Sequence, residues 1–500
     1  MGWAARKSDE AGAAGTGGGI KLSALSNNHV TGAGTVPAPW WVRTLRTVGM
    51  DRAVTFTVLA RGWGSIAGLM TVFLIAHFLT AAEQGYYYTF GSLVALQIIF
   101  ELGFSFVILQ AASHERAHLT ITDDGRVEGG AVPHARLASV LQKSLRWYSV
   151  AAVLMFCSLI PAGIHFFQST PHAGTAVAWR LPWYLVVLAA SLAFQIDPLF
   201  SFLEGCGYVP LVARTRLWQA LLGSALAWSA LLTHHGLFAP AMSITGQVIM
   251  GLVFLSTHRR LLMGLIRHPV GDDRIKWRAE VWPFQWRIAV SWISGYFIFQ
   301  LFVPVLFHYS NPVSAGQMGM SLGIVSLLMS ISMSWLTTKA APFAAMVARK
   351  EYSALDHAFF RVLAQSTAVS IACAAIAVAL VAGLNAVHSK LANRMLSPKL
   401  LAMFLAAMVL NHIIFGEAIY MRSHKQEKFL IQSVVGALLI GTSTYVLGRR
   451  YGATGIVSGY FGLSILSFIA ATMTFFYYRR LWHSEKPGIE KDGDMMVSTK

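Results

Sequence analysis

The stretch GWGSIAGLMTVFLIAHFLTAA (residues 62–82) runs for 21 residues without a formally charged side chain. An α-helix rises 1.5 Å per residue, so about 20 apolar residues cross a hydrocarbon core about 30 Å thick. Comparable runs recur along the chain, which is 55% hydrophobic and only 12% charged, with a mean hydropathy of +0.55. Soluble domains carry about 25% charged residues. The sequence therefore predicts an all-α, polytopic membrane protein.

The apolar runs predict twelve transmembrane helices. The fifth begins with Arg214 and Arg216 and is the least apolar of the set. The predicted spans are 57–82, 85–111, 145–167, 181–203, 212–233, 236–257, 287–308, 315–338, 359–384, 399–421, 428–448 and 453–478.

The basic residues predict the orientation of these helices. Of the 39 Lys and Arg residues, 32 fall in the tails, in alternate loops or at the adjoining helix ends, and 6 fall in the opposite loops. The remaining one is Arg61, in the first span. Because cytoplasmic loops of membrane proteins are rich in Lys and Arg, this asymmetry places both termini in the cytoplasm. The net charge of +17 is then a topology signal, and we expect no nucleic-acid partner.

An internal repeat divides the spans into two lobes of six helices. With an offset of 213, residues 202–227 align with 415–440, and Glu204, Gln219 and Gly223 meet Glu417, Gln432 and Gly436. An even number of spans per half makes the repeat parallel, as in transporters that hold substrate between two halves. Shared apolar composition is the alternative explanation. The predicted domains are a tail at 1–53, lobes at 54–258 and 287–480, a basic linker at 259–286 and a tail at 481–500.

Motifs for covalent chemistry are absent from the sequence. It contains no GxxxxGK[ST], HExxH, paired CxxC or GxSxG pattern, so no motif indicates ATP hydrolysis or a common hydrolase. The loops assigned to the outer side are short, and their single acid is Glu83. We therefore expect a transporter without a cofactor or metal, and not a membrane enzyme such as a polysaccharide polymerase.

Several short patterns resemble one transporter family. In residues 61–110, AEQGYYY forms a turn between two apolar runs and ELGF follows within the second run. Together with APFAAMVARKEYSALDHAFFRVL (341–363) and YGATGIVSG (451–459), these patterns resemble the polysaccharide flippases. That family belongs to the multidrug/oligosaccharidyl-lipid/polysaccharide exporter superfamily. The resemblance extends over about residues 55–480.

The resemblance implies a flippase in the bacterial inner membrane. Its substrate would be a polyprenyl-pyrophosphate-linked oligosaccharide used for O-antigen, capsule or exopolysaccharide biosynthesis. Alternating access would be driven by a proton or sodium gradient or by the membrane potential. A polymerase and other assembly proteins would be partners. A cation-coupled multidrug exporter of the same superfamily, a polytopic enzyme and a passive scaffold are the alternatives.

Cations and hydroxyl groups are the expected ligands of such a substrate. Arg61 and Arg287 each precede 21 uncharged residues and are predicted to flank a cytoplasmic mouth where a pyrophosphate arrives, unless they are snorkelling anchors. Ser326, Ser330 and Ser334 share a helix face with Thr337. They are predicted to bind sugar, with helix packing through small residues as the alternative.

Carboxylates within the membrane are candidates for coupling and gating, because a charge there normally faces a wet interior. Glu101 is predicted to line the cavity, with an ion pair to Arg61 as the alternative. Asp197 precedes Pro198, which frees a carbonyl in the helix. Asp197 and Pro198 are predicted to gate transport, with the carboxylate carrying a proton or cation. The alternative is that the carboxylate only satisfies the backbone groups freed at a kink in the helix. The repeat-related Glu204 and Glu417 are predicted gate contacts, with solvated helix ends as the alternative.

Overall fold

Residues 52–122, 124–170, 177–271, 274–277, 282–424, 426 and 428–484 are described by the computed structural model. Almost all of them are helical, because long apolar segments in lipid must satisfy their backbone hydrogen bonds internally. The predicted tails at 1–53 and 481–500 lie almost wholly outside the described residues.

The first half of the chain contains six long helical segments and a short β-hairpin. The second of these segments is divided into α2, a short 3₁₀ turn, α3 and α4. The elements are α1 (Arg52–Phe78), α2 (Ala81–Val94), α3 (Ile98–Glu101), α4 (Phe104–Arg116), β1 (Leu119–Ile121), β2 (Val127–Gly129), α5 (Ala131–Gln168), α6 (Arg180–Gly205), α7 (Val209–Leu232), α8 (Ala239–Thr257) and the interfacial α9 (Arg259–Arg267).

The second half repeats this arrangement without a hairpin. Its first span is divided into two helices, and its last helix bends at Gly452, where φ is 58°. The elements are α10 (Trp282–Phe299), α11 (Phe302–Tyr309), α12 (Pro312–Thr337), α13 (Ala340–Ala348), α14 (Tyr352–Ala386), α15 (Pro398–Ser423) and α16 (Leu430–Ser484).

The prediction of twelve membrane-spanning segments is confirmed within the described residues. Eight helices are long and apolar enough to cross a membrane, and two bent pairs, α2–α4 and α10–α11, bring the number to ten. The other two are α7, a 24-residue helix packed against α1 and α8, and the second arm of α16 beyond Gly452.

Two predicted spans are interrupted rather than continuous. The ELGF pattern falls at a break in the second span, where Leu102 and Gly103 adopt positive φ angles of 51° and 66° and the axis bends by 44°. A Cβ at position 103 would lie 3.3 Å from Cβ of Ile288, so glycine permits both the left-handed backbone and the close approach of α10. The seventh span bends by 43° between α10 and α11.

Two helices are longer than the spans predicted from hydropathy. The helix α5 begins at Ala131 instead of residue 145, and α14 begins at Tyr352 instead of residue 359. The added turns project beyond the apolar run on the cytoplasmic side. On α14, the added turn carries Asp356, whose carboxylate binds the guanidinium of Arg479 on α16 at 2.6 Å and accepts a hydrogen bond from Tyr420 of α15 at 2.8 Å. These contacts join three helix ends.

The predicted linker at 259–286 is partly ordered against the first lobe. The Gln142 side chain on α5 donates hydrogen bonds to the carbonyl groups of Leu265, Ile266 and His268 at 3.1, 3.1 and 2.9 Å. The His268 ring stacks on that of His134 at 3.9 Å. The segment after α8 therefore lies along the cytoplasmic end of α5.

Equivalent hydrogen bonds occur in the two halves. The Gln219 amide donates to the Gln247 carbonyl at 2.9 Å, and the repeat-related Gln432 amide donates to the Ser467 carbonyl at 2.7 Å. Each glutamine joins the last two helices of its half. The shared contact supports the repeat found in the sequence.

Candidate functional site

A cavity of about 690 Å³ lies between the two halves. Its walls come from α2, α8 and α10–α12 and from α15 and α16, so both lobes contribute. Along α12 it extends from Gly319 to Met333, which is about 21 Å at 1.5 Å per residue. The lining residues are Tyr87, Tyr88, Gly91, Ser92, Pro240, Phe299, Gln300, Val303, Gly319, Leu322, Gly323, Val325, Ser326, Met329, Ser330, Met333, Phe404, Met408, Asn411, Phe415 and Tyr460.

The lining combines neutral polar groups with aromatic and thioether side chains. Hydroxyl and amide groups come from Ser92, Gln300, Ser326, Ser330 and Asn411, and the remainder is largely Phe, Tyr and Met. Among the described residues that line the cavity, none carries a formal charge. The surface suits an uncharged, amphiphilic group, because aromatic faces bind apolar and C–H surfaces while amides and hydroxyls fix orientation.

The predicted serine stripe divides along the helix. Ser326 and Ser330 line the cavity, whereas Ser334 is outside the lining and its hydroxyl donates to the carbonyl of Ile331 at 2.6 Å. Sugar binding by all three remains a prediction, and the structure brings only the first two to the cavity.

An amide–hydroxyl network forms one wall of the cavity. The Asn411 amide donates hydrogen bonds to the Ala407 carbonyl at 2.8 Å, to Tyr460 Oη at 3.2 Å and to Ser464 Oγ at 3.1 Å. These bonds hold the side chain of Asn411 and the ring of Tyr460 between α15 and α16. Asn411 falls within the predicted span 399–421, but the sequence alone does not place it beside Tyr460.

The outer side of the cavity is closed by contacts between the halves. The Gln84 amide, at the start of α2, donates to the carbonyl groups of Gly316 and Arg394, each at 2.9 Å. The Arg394 guanidinium donates to the Leu79 carbonyl at 2.6 Å and to Gln84 Oε1 at 3.4 Å. Desolvation lowers the pKa of Arg394, and the nearby Glu83 opposes this shift; an arginine nevertheless keeps its charge at physiological pH.

The backbones of α2 and α12 approach each other closely in this outer seal. A Cβ built at Gly85 would lie 2.6 Å from the carbonyl carbon and 2.9 Å from Cα of Pro312. One turn further in, a Cβ at Gly319 would lie 2.8 Å from Cδ2 of Tyr88. Tyr86, Phe167 and Phe307 complete the seal with ring centroids 4.8 to 5.4 Å apart. The AEQGYYY pattern is therefore a contact surface between the halves as well as a turn.

Arg61 and Arg287 lie near the cytoplasmic ends of α1 and α10. The Arg61 side chain is exposed and forms no ion pair with Glu101 among the described side chains. The side chain of Arg287 lies outside the described residues. Their role at a cytoplasmic mouth remains a prediction, but the alternative in which Arg61 pairs with Glu101 is not observed.

Glu101 belongs to a polar cluster within the first lobe. It lies at the end of α3, where its carboxylate interacts with the Ser105 hydroxyl and with the charge of Asp197. The Ser105 hydroxyl also pairs with Tyr148 Oη at 3.0 Å, and Arg216 attracts Asp197. Neither carboxylate is among the residues that line the cavity. The helix α6 continues through Pro198, so this proline lies within the helix and does not end it.

The repeat-related glutamates have different environments. The Glu204 carboxylate is 3.7 Å from the Arg216 guanidinium. Glu417 is 3% exposed, accepts a hydrogen bond from Thr472 at 2.9 Å and has a second carboxylate oxygen without a partner among the described groups. Position 429, which corresponds to Arg216 in the repeat, is Phe429. The reading of Glu417 as a solvated helix-end charge is therefore wrong, because the aligned cation is missing and the side chain is buried.

Comparisons with known structures define the class of protein. No protein-family model matches the sequence, and no curated protein is significantly similar to it. The multidrug transporter DinF-BH in complex with R6G is similar to this chain with a TM-score of 0.57 at 14% identity, covering 86% of this chain and 96% of that one. The chain thus has the fold of a polytopic transporter.

Two further structures share this fold. The lipid II flippase MurJ in an inward closed conformation has a TM-score of 0.54 at 13% identity, with 86% of this chain and 90% of that chain covered. An inward-facing multidrug resistance transporter of the MOP superfamily has a TM-score of 0.53 at 16% identity, with 83% and 99% covered. The chain therefore has the fold that these transporter structures share.

Proposed function

We propose that this protein is a flippase for a polyprenyl-pyrophosphate-linked oligosaccharide. It moves the substrate from the cytoplasmic to the outer leaflet of a bacterial inner membrane by alternating access, for the synthesis of a surface polysaccharide. A polymerase and other assembly proteins would receive or prepare the substrate. The superfamily fold is the basis for transport, and the cavity is the basis for the choice of substrate.

The proposed substrate class rests on the chemistry of the cavity lining. Sugars bind through hydroxyl and amide hydrogen bonds and through C–H contacts with aromatic faces, and the lining offers Ser326, Ser330, Asn411 and the rings of Tyr88 and Tyr460. A cavity selective for cationic drugs would be expected to present a carboxylate to the ligand. The described lining offers neutral groups instead.

The lipid-linked pyrophosphate needs cations outside this neutral cavity. Arg61 is exposed near the cytoplasmic end of α1, and Arg287 lies in the corresponding helix of the second half. In the proposal these two residues hold the pyrophosphate near the cytoplasmic leaflet while the sugar occupies the cavity. Arg61→Ala together with Arg287→Ala is expected to abolish flipping, and the double Lys variant to retain part of it. Full activity of the double Ala variant would assign both residues as membrane anchors.

Coupling to an ion gradient is assigned to the carboxylates within the spans. In the first half Glu101 and Asp197 are close enough for their charges to repel, and in the second half Glu417 has a carboxylate oxygen without a partner among the described groups. A carboxylate held away from water can take up a proton or a cation, and its charge then changes with the conformation. Asp197→Asn is expected to slow flipping at unchanged protein abundance, and unchanged transport would exclude Asp197 from coupling.

A reconstituted assay tests the function directly. Purified protein in liposomes receives a fluorescent lipid-linked oligosaccharide in the lumenal or external leaflet, and a membrane-impermeant quencher reports its movement. The proposal expects translocation of the lipid-linked sugar and no accumulation of a cationic dye. Transport of the dye without movement of the sugar lipid would overturn it.

A cation-coupled multidrug exporter is the second candidate. The neighbouring carboxylates Glu101 and Asp197 favour it, because two like charges held close together in one lobe favour the uptake of a proton or a cation. In that case the dye assay gives pH-dependent transport, and replacing both acids with amides abolishes it.

A further inference from the structure

A second cavity lies on the cytoplasmic side of the first half. Its volume is about 710 Å³, and it shares no lining residue with the cavity between the halves. Three separate segments enclose it: the end of α4 with the β-hairpin, the turn between α6 and α7, and the junction of α8 with α9. The lining residues are Arg116, Ile121, Thr122, Asp124, Gly125, Cys206, Gly207, Tyr208, Leu211, Ser256, Thr257, His258, Arg259, Arg260 and Leu261.

The electrostatic character of this cavity is positive. Three guanidinium groups line it, from Arg116, Arg259 and Arg260, against the single described carboxylate of Asp124. The Asp124 carboxylate is 3.0 Å from the Arg126 guanidinium, so its charge is already offset by a residue outside the lining. Among the described lining residues, the three arginines therefore outnumber the carboxylates.

The arginines retain donors for a ligand. Arg116 uses Nη1 to donate to the Leu119 carbonyl, but its buried Nε has no partner among the described groups. No described carboxylate lies within ion-pair distance of Arg259 or Arg260. Arginine binds phosphate oxygens with two parallel N–H donors, and such charge-assisted bonds are about twice as strong as neutral ones.

The backbone adds donors at the same place. The helix α9 begins at Arg259, and no side chain caps its N-terminus. The first N–H groups of a helix have no partner within it and favour an anion. Gly125, at the tip of the β-hairpin, faces this end of α9, since a Cβ there would lie 3.2 Å from the backbone N of Leu261. The hairpin thus forms one wall beside the helix N-terminus.

The neighbouring hydroxyl groups suit a ligand that carries hydroxyls of its own. Ser256 and Thr257 donate to the carbonyls of Val253 and Phe254, each at 2.7 Å. Their oxygen lone pairs remain able to accept a hydrogen bond. A phosphate ester of glycerol or of a sugar carries both the anion and the hydroxyl donors that this lining would bind.

We propose that the cavity formed by the β-hairpin, the α6–α7 turn and the start of α9 binds a phosphate group through Arg116, Arg259 and Arg260. The phosphate belongs either to an anionic lipid headgroup of the cytoplasmic leaflet or to a soluble phosphate compound. Basic pockets at this depth bind anionic headgroups in other membrane proteins. Because α9 (Arg259–Arg267) is the first part of the linker between the halves, an occupied site joins the hairpin of the first half to this linker. The inference does not depend on the proposed transport substrate.

Ligand binding to purified full-length protein tests the site. Native mass spectrometry in detergent measures the binding of phosphatidylglycerol against phosphatidylcholine, and a thermal-shift titration measures inorganic phosphate and pyrophosphate. The test variant carries Arg116→Gln, Arg259→Gln and Arg260→Gln. The matched control carries Arg146→Gln, Arg267→Gln and Arg274→Gln, which change the net charge equally at exposed positions outside the cavity.

The expected result is a loss of at least about tenfold in affinity for the test variant and less than about twofold for the control. Binding of phosphatidylglycerol that phosphate displaces identifies the lipid headgroup as the source, and binding of phosphate or pyrophosphate alone identifies a soluble ligand. Equal affinity of the wild type and the test variant for every probe would overturn the proposal. If the triple variant does not fold, Arg259→Gln is compared with Arg267→Gln by the same criteria.

Discussion

The close approach of α2 and α12 predicts that a single methyl group opens the outer side of the protein. In Gly85→Ala the new Cβ would lie 2.6 Å from the carbonyl carbon of Pro312. Carbon atoms pack best at about 3.5–4.0 Å, so the two helices must separate by roughly 1 Å. The obstacle is backbone, so no side-chain rotation relieves it.

The size of the effect follows from the cost of overpacking. Such strain costs about 1–3 kcal/mol in a well-packed interface. The strain acts only in the conformation with a closed outer side, so it shifts the equilibrium toward the outward-open conformation by about 5- to 150-fold. In transport assays, Gly85→Ala is expected to reduce turnover, because the return to the inward-facing conformation becomes slow.

Distances between spin labels measure this shift. Labels at Ser169→Cys and Val387→Cys, both exposed at outer ends of the two halves, are introduced after replacement of the three native cysteines. Gly85→Ala is expected to add a population at longer distance. Gly91→Ala is the matched control on the same helix, since a Cβ there meets nothing within 4 Å. An unchanged distance distribution in a folded Gly85→Ala protein would refute the reasoning.

Three further predictions concern the cavity, the linker and the cytoplasmic helix ends. Ser330→Ala is expected to reduce transport severalfold and Ser334→Ala to leave it unchanged, because only Ser330 lines the cavity; equal effects in the flipping assay would contradict the assignment. Burial and the nearby His268 lower the pKa of His134, so folding favours its neutral form. The stacked pair therefore stabilises the linker at pH values above the ordinary histidine pKa of about 6.5. This stability is lost as the pH falls through the lowered pKa. The protection of linker amides against hydrogen exchange, corrected for the intrinsic pH dependence of exchange, should therefore fall between pH 7.5 and 5.5, and His134→Phe should remove this dependence. Asp356→Ala leaves the partly buried Arg479 without a counter-ion and is expected to lower the free energy of unfolding by about 3 kcal/mol. A lowered midpoint of thermal unfolding would show this loss, and an unchanged midpoint would contradict it.

The number of helices and the internal repeat were predictable because both are local features of the chain. A run such as residues 62–82 is long and apolar enough to span a bilayer whatever surrounds it. The repeat offset paired Gln219 with Gln432, and the structure places both in equivalent hydrogen bonds. Helix ends were less predictable, because hydropathy marks the membrane boundary and α5 continues well beyond it.

The candidate site was predicted only in part. Helical spacing correctly placed Ser326 and Ser330 on one face of the helix. Spacing does not show how much of that face lines a cavity, and Ser334 lies outside the lining. Arg394 is one of the six basic residues in the loops opposite the basic side, and it forms part of the outer seal by donating to the Leu79 carbonyl. In the sequence, the signal for this role was a basic residue on the side of the membrane where the topology rule expects few.

The amino-acid sequence by itself determined that this chain crosses a membrane as two related sets of six helices, with its basic loops predicted on one side. These properties depend on segment length, charge and periodicity, which are properties of neighbouring residues. The tertiary structure decided which polar groups share a cavity, which seal the outer side and which are buried without a partner. Glu204 and Glu417 are aligned by the repeat, yet among the described side chains an ion pair is observed for Glu204 and not for Glu417. Such differences arise because the rotation and packing of each helix depend on side chains far away in the chain.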